Sequence, residues 1–167
     1  GFLELLVGED RSVLATMSGS GKWKQEGVFS KNYILAKKEK VPVVTLDNLI
    51  SEYGLPKFCK IDVEGFEKEV LKGLTKPIPY ISFEFTKEFL SDAKACMAHV
   101  SLLGEAEFNV CFGVAMEFIF KTWISADEIL QKIEQSDSQD LWGDIYVKME
   151  CKEIKLHLGG GSVILPG

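Results

Sequence analysis

From residue 56 onward, short apolar runs alternate with amphipathic stretches, and this alternation constrains the fold most. "KFCKID" (57–62) and "YISFEF" (80–85) have strand length and a largely apolar character. Between them lies "EGFEKEVLKGL". Phe66, Val70 and Leu74 recur there every four residues and Leu71 widens the stripe, which predicts a helix over 64–73. Glu64 and Lys68 make an i, i+4 pair in the favourable order. "KPIP" ends that helix. "KEFLSDAKACMAHVSLLG" follows as a second amphipathic helix. Phe89, Ala93, Met97 and Val100 share one of its faces, and Gly104 stops it. Strands separated by helical segments of roughly 12–20 residues predict an α/β fold with a parallel sheet.

The flanking segments fit the same class. "FLELLVG" and "VLATMSG" read as strand, turn, strand, and 18–32, rich in Gly, Ser and Lys, as a loop. "VPVVTLD" is extended, and "DNLISEYG" is a short helix with Asp47 as N-cap and Gly54 as stop. "KFCKID" reads as a strand buried on both faces by helices. "EFNVCFGV" and "MEFIFKTW" read as two strands with a tight connection. Ser125 and Glu128 form a capping box for a helix beginning "SADEILQKIEQ". "DIYVKME" is a last strand. "LGGGSVILPG" (158–167) has the composition of a flexible tail or linker, leaving 1–157 as the domain.

Composition narrows the function. The 167 residues suffice for one domain, and 46% hydrophobic with 26% charged residues is an ordinary globular balance. A net charge of -6 disfavours a nucleic-acid backbone as partner, and the basic run "AKKEK" (36–40) reads as a solvated loop. No stretch has the roughly 20 apolar residues of a membrane helix. Cys59, Cys96 and Cys111 sit in apolar stretches, with Cys151 the fourth cysteine. Free buried thiols suit a reducing compartment, so a cytoplasmic location is expected. His99 and His157 lack ligand spacing, so no metal site is expected from them.

In open α/β sheets, ligands sit beyond the carboxyl ends of the strands. Asp62, Glu64 and Glu84 fall at or near those ends. Each has a plainer reading. Asp62 can cap the following helix, Glu64 is a first-turn acid suited to the helix dipole, and Glu84 can pair with Lys60 on a neighbouring strand.

"VTLDNLISEYGLPKFCKIDVEGFEKEVLKGL", followed by "ISFEF", resembles the FkbM family of methyltransferases over residues 43–86. Thr45-Leu46-Asp47, Lys60-Ile61-Asp62, Glu64-Gly65, Glu67, Leu71, Gly73 and Glu84 carry the likeness. The resemblance implies a partial Rossmann-like class I fold, with a mostly parallel sheet and "DIYVKM" as a C-terminal antiparallel strand. It implies S-adenosylmethionine as cofactor and the hydroxyl of a small molecule or sugar as methyl acceptor. By this analogy Asp62 borders the cofactor and serves as base or acceptor-orienting group. Glu64 is the second choice and Glu84 supports the site's edge. The family's glycine-rich D-x-G-A-N-x-G turn and ribose-binding acid are absent from this sequence, so an upstream segment or partner chain is expected to complete the fold. Two other readings compete. One is a non-catalytic truncated relative acting as a structural or interaction module. The other is an α/β enzyme holding Mg²⁺ through Asp62, Glu64 and Glu84.

Overall fold

The computed structural model describes residues 1–8, 15–16, 35–63, 65–115, 117–138, 140–150, 154–158 and 161–165. The loop expected at 18–32, Glu64 with its pairing to Lys68, and Cys151 lie outside the described residues.

The N-terminal part is an antiparallel sheet in the order β2-β1-β3, built from β1 (Phe2–Gly8), β2 (Ala15–Thr16) and β3 (Leu35–Pro42). The first two strands match the sequence reading. The basic run 36–40 does not form a loop. It lies inside β3, where Lys38 stands opposite Leu6 and Lys40 opposite Glu4. The pairing partner, which composition cannot reveal, holds these lysines in a strand.

Helix α1 (Leu46–Tyr53) ends at Gly54, whose φ of 90° lies in the region that favours glycine. The expected N-cap is displaced by two residues. Thr45 occupies that position and accepts from the Asn48 amide. Asp47 instead accepts from the Thr75 amide at 2.9 Å and from the Thr75 hydroxyl at 2.6 Å. Those bonds hold its carboxyl below the ordinary value, the hydroxyl bond contributing most.

The central sheet comprises β4 (Phe58–Ile61), β5 (Tyr80–Thr86), β6 (Ala106–Phe112) and β7 (Trp142–Met149), in the order β4-β5-β7-β6. β4 and β5 pair in parallel, whereas β7 runs antiparallel to both of its neighbours. Three strands therefore point one way, but only one adjacent pair is parallel. β7 is the C-terminal antiparallel strand that the resemblance implies, and because it pairs between β5 and β6 the sheet is mixed, with β4–β5 its one parallel pair. The chain is a mixed α/β protein.

Register assigns the two faces. Ile61, Phe83, Ile145 and Val110 lie side by side and are at most 3% exposed. Helices α2 (Glu67–Lys72), α3 (Leu90–Leu103) and α4 (Ala126–Glu134) complete this core. They bury Leu71, then Ala93, Cys96, Met97 and Val100, then Ile129 and Ile133. Each Leu, Ile, Val or Met among them contributes about 1.5–3 kcal/mol of transfer free energy, and Ala93 less. The capping box at Ser125 and Glu128 forms as the sequence predicts.

The opposite face carries Lys60, Ser82, Tyr146 and Asn109 in one row and Glu84, Asp144 and Cys111 in the next. Thus β4 is not buried on both faces. Phe58 is half exposed and Lys60 exposed, since β5 is the neighbour of β4 within this sheet. The expected strand over 116–123 is also absent. The described residues 117–123 run mostly as bends, tied to β6 by a bridge between Phe108 and Ile124 and by the Ile119 amide, which donates to the Val110 carbonyl at 2.9 Å. Asn109 supplies the reason. Its amide group donates to the Phe120 and Thr122 carbonyls and accepts from the Phe120 amide, holding that segment to its side chain. Beyond β7, β8 (Ile154–Leu158) and β9 (Gly161–Leu165) pair as an antiparallel hairpin.

Candidate active site at the carboxyl ends of the strands

Asp62 follows the last residue of β4, with 53% of its side chain exposed. It does not act as the side-chain cap of α2. Phe66 holds the N-cap position, with no side-chain cap hydrogen bond. The carboxylate instead faces Lys60, with Oδ2 3.7 Å from Nζ. Lys60, which the sequence reading matched with Glu84, donates to Asp144 Oδ1 at 2.6 Å. Partial burial opposes the lysine's charge. The Asp144 bond, the Asp144 charge and then Asp62 outweigh it, so the ammonium pKa lies above its ordinary value. Burial, then Asp144, also raises the Tyr146 phenol.

Glu84 lies half-buried in β5, directly opposite Asp144. It borders a cleft of about 430 Å³, including space open to solvent, between the end of β5 and the first turns of α2 and α3. Thr86, Phe89 and Ala93 form one side, with Gly65 and Glu67 on the other. The structure thus joins Lys60, Asp62 and Asp144, and sets Glu84 on the cleft beside them.

Two residues here escaped the sequence reading. Asp144 was read only as part of the last strand, although W-G-D-I-Y-V-K-M alternates and puts Asp144, Tyr146 and Lys148 on one face. Glu67 was read as one of the residues that carry the family likeness, with no role of its own. It is 8% exposed, and its Oε1 accepts from the Val63 amide at 3.3 Å and the Gly65 amide at 3.2 Å. Burial pushes its pKa up, and the amide bonds offset part of that shift. Cys96, on the same cleft, is pushed up to about 12, first by burial and then by the Glu67 charge. Cys59, Cys96 and Cys111 are free thiols.

Among the described residues, no group of three or more His, Cys, Asp or Glu side chains is arranged to hold a metal ion. No helix among them is long and apolar enough to cross a membrane.

Asp62 follows the end of β4 and Glu84 borders a cleft near the end of β5, in the region where ligands bind in open α/β sheets. The chain matches the methyltransferase FkbM domain over residues 2–136, and it belongs to that methyltransferase family. No curated protein and no solved structure matches it.

Proposed function

We propose that this chain serves an S-adenosylmethionine-dependent methyltransferase that methylates a hydroxyl oxygen of a small molecule or sugar. The observation that carries the reading is the half-exposed Asp62 carboxylate at the end of β4, in a chain that matches the methyltransferase domain over most of its length. A strand order in which β4, β5 and β6 share a direction and β7 opposes them supports a Rossmann-like arrangement.

The fit to the cofactor covers only the methyl-transfer end. Asp62 and the cleft suit that end, whereas the sequence has no glycine-rich turn or ribose-binding acid of the family's type. When bound, the cofactor supplies an electrophilic methyl group on a sulfonium. The chain's own task is to place the acceptor and take its proton. The acceptor hydroxyl must lose that proton as its oxygen gains the methyl carbon, and an Asp62 carboxylate oxygen accepts it. Lys60 orients Asp62 from 3.7 Å while Asp144 anchors the lysine. Alignment of oxygen and methyl supplies the rest of the acceleration.

The test is calorimetric titration of S-adenosylmethionine into the protein, with and without Mg²⁺. It is followed by labelled-methyl transfer to a panel of sugar and small-molecule hydroxyls. Binding near one-to-one, independent of Mg²⁺, supports the reading even without the family's glycine-rich turn. A folded protein that binds no cofactor overturns the reading for this chain by itself and favours a fragment or a non-catalytic module. Activity that requires Mg²⁺ without cofactor binding favours the metal enzyme.

A further inference from the structure

Glu67 has a geometry that helix formation does not call for. An acid in a first turn normally stays in water and interacts with the helix dipole. Glu67 is 8% exposed, and its carboxylate turns back, out of the helix, to the segment before it. One oxygen takes two amides, those of Val63 and Gly65. Burying a carboxylate is costly unless strong hydrogen bonds replace its water. Two amides two residues apart can converge on one oxygen only if the chain curls around it. Gly65 permits that curl with a φ of 89°, a conformation that side chains disfavour.

We infer that Glu67 is a positioning residue: its buried carboxylate holds the backbone at Val63 and Gly65 and so fixes where the neighbouring Asp62 is presented. Among the described residues, Asp62 is otherwise met by the Lys60 ion pair at 3.7 Å, and Phe66 caps the helix with no side-chain bond. Asp62 is separated by one peptide from Val63, which Glu67 holds at 3.3 Å. A loop free to swing would move that carboxylate by ångströms, and misplacement of about 1 Å can cost 100-fold in rate. The inference rests on the reading of Asp62 as the proton acceptor, and its test separates the two.

The experiment compares wild type, Glu67→Gln and Glu67→Ala by amide hydrogen exchange in nitrogen-15-labelled protein, and by methyl transfer to a responding hydroxyl acceptor. Gln keeps an acceptor oxygen, whereas Ala removes it. In Glu67→Ala the Val63 and Gly65 amides should exchange about tenfold faster or more, with β5 and α3 unchanged. In Glu67→Gln they should stay within about threefold of wild type. Turnover should follow the same order, with kcat lost in the Ala variant, largely restored by Gln, and KM for the cofactor unchanged.

Unchanged exchange in Glu67→Ala overturns the clamp. Faster exchange with unchanged kcat overturns the positioning role. If wild type shows no turnover, or Asp62→Asn retains it, while the Ala variant still frees both amides, the clamp stands and the catalytic reading fails. Should Glu67→Ala not fold, Gly65→Ala strains the same curl with the carboxylate intact. Unaltered Val63 and Gly65 amides in that variant refute the inference.

Discussion

Lys60 Nζ lies 2.6 Å from Asp144 Oδ1, although β5 stands between their strands. The lysine side chain therefore crosses the polar face of β5 and ties the edge strand to β7. Both groups are partly exposed, at 41% and 26%, so the pair is worth about 1 kcal/mol after solvent screening. Asp144→Asn should lower the melting midpoint by about 2–4 °C at neutral pH. The pH dependence has a definite sign. The Lys60 pKa is raised on folding, so its contribution is complete below the ordinary lysine value of 10.5 and is lost as pH rises through the raised value. The difference between wild type and variant should shrink in melts recorded on the alkaline side. A gap that widened there would contradict the assignment.

Asp62→Asn isolates the chemistry from the fold. The side chain is 53% exposed, and Lys60, its ion-pair partner, keeps Asp144. The melting midpoint should move by less than about 2 °C, as for other exposed substitutions. Turnover should fall by about 100-fold or more, since an amide cannot accept the acceptor's proton. Steady-state kinetics on the responding hydroxyl acceptor checks this. Wild-type turnover would remove Asp62 from the reaction.

These two residues also show what the sequence can and cannot disclose. Asp62 was readable because an apolar run of strand length ends on it, and strand ends are where such folds bind ligands. The Lys60–Asp144 pair was not, because the residues are 84 positions apart and meet only through the strand order. An antiparallel last strand was expected, but nothing in the periodicity of β5, α3 and β6 shows that the slot left for β7 lies between β5 and β6. The helices were legible because apolar spacing and caps are local. Gly54, Gly104 and the Ser125–Glu128 box ended or started them as read. Asp47 was misread for the converse reason. It looks like a local cap, yet its partners are on Thr75.

Asp47→Ala should accordingly loosen the junction of α1 with the end of α2, rather than the start of α1 alone. Thr45 still caps α1, so helix content should be retained. The Asp47 pKa is lowered on folding. Its contribution is present above the ordinary aspartate value of 3.8 and is lost as pH falls through the lower native value. The variant should be less stable than wild type at neutral pH and converge with it in strong acid. Urea titrations across that range measure this directly. A Thr45→Ala change should instead reduce α1 helicity while leaving the acid-side dependence in place.

Gly143 marks an unforgiving backbone contact. It lies in β7 opposite Phe85 on one side and Phe112 on the other. A Cβ added there would overlap the Cys111 carbonyl oxygen and reach 3.0 Å from Phe112 Cα. Both obstacles are backbone, which cannot rotate away as a side chain would. The strands must separate or the register must break, at a cost of about 3 kcal/mol or more. Gly143→Ala should therefore lower the melting midpoint by about 6–12 °C. Gly54→Ala is the control, because φ is 90° there but a Cβ meets open space. Its cost is the backbone strain alone, about 1–3 kcal/mol for a φ, ψ pair of 90°, 169° that is essentially confined to glycine. Parallel thermal melts rank the two. Equal destabilisation would mean that β6 and β7 do not approach closely at Gly143.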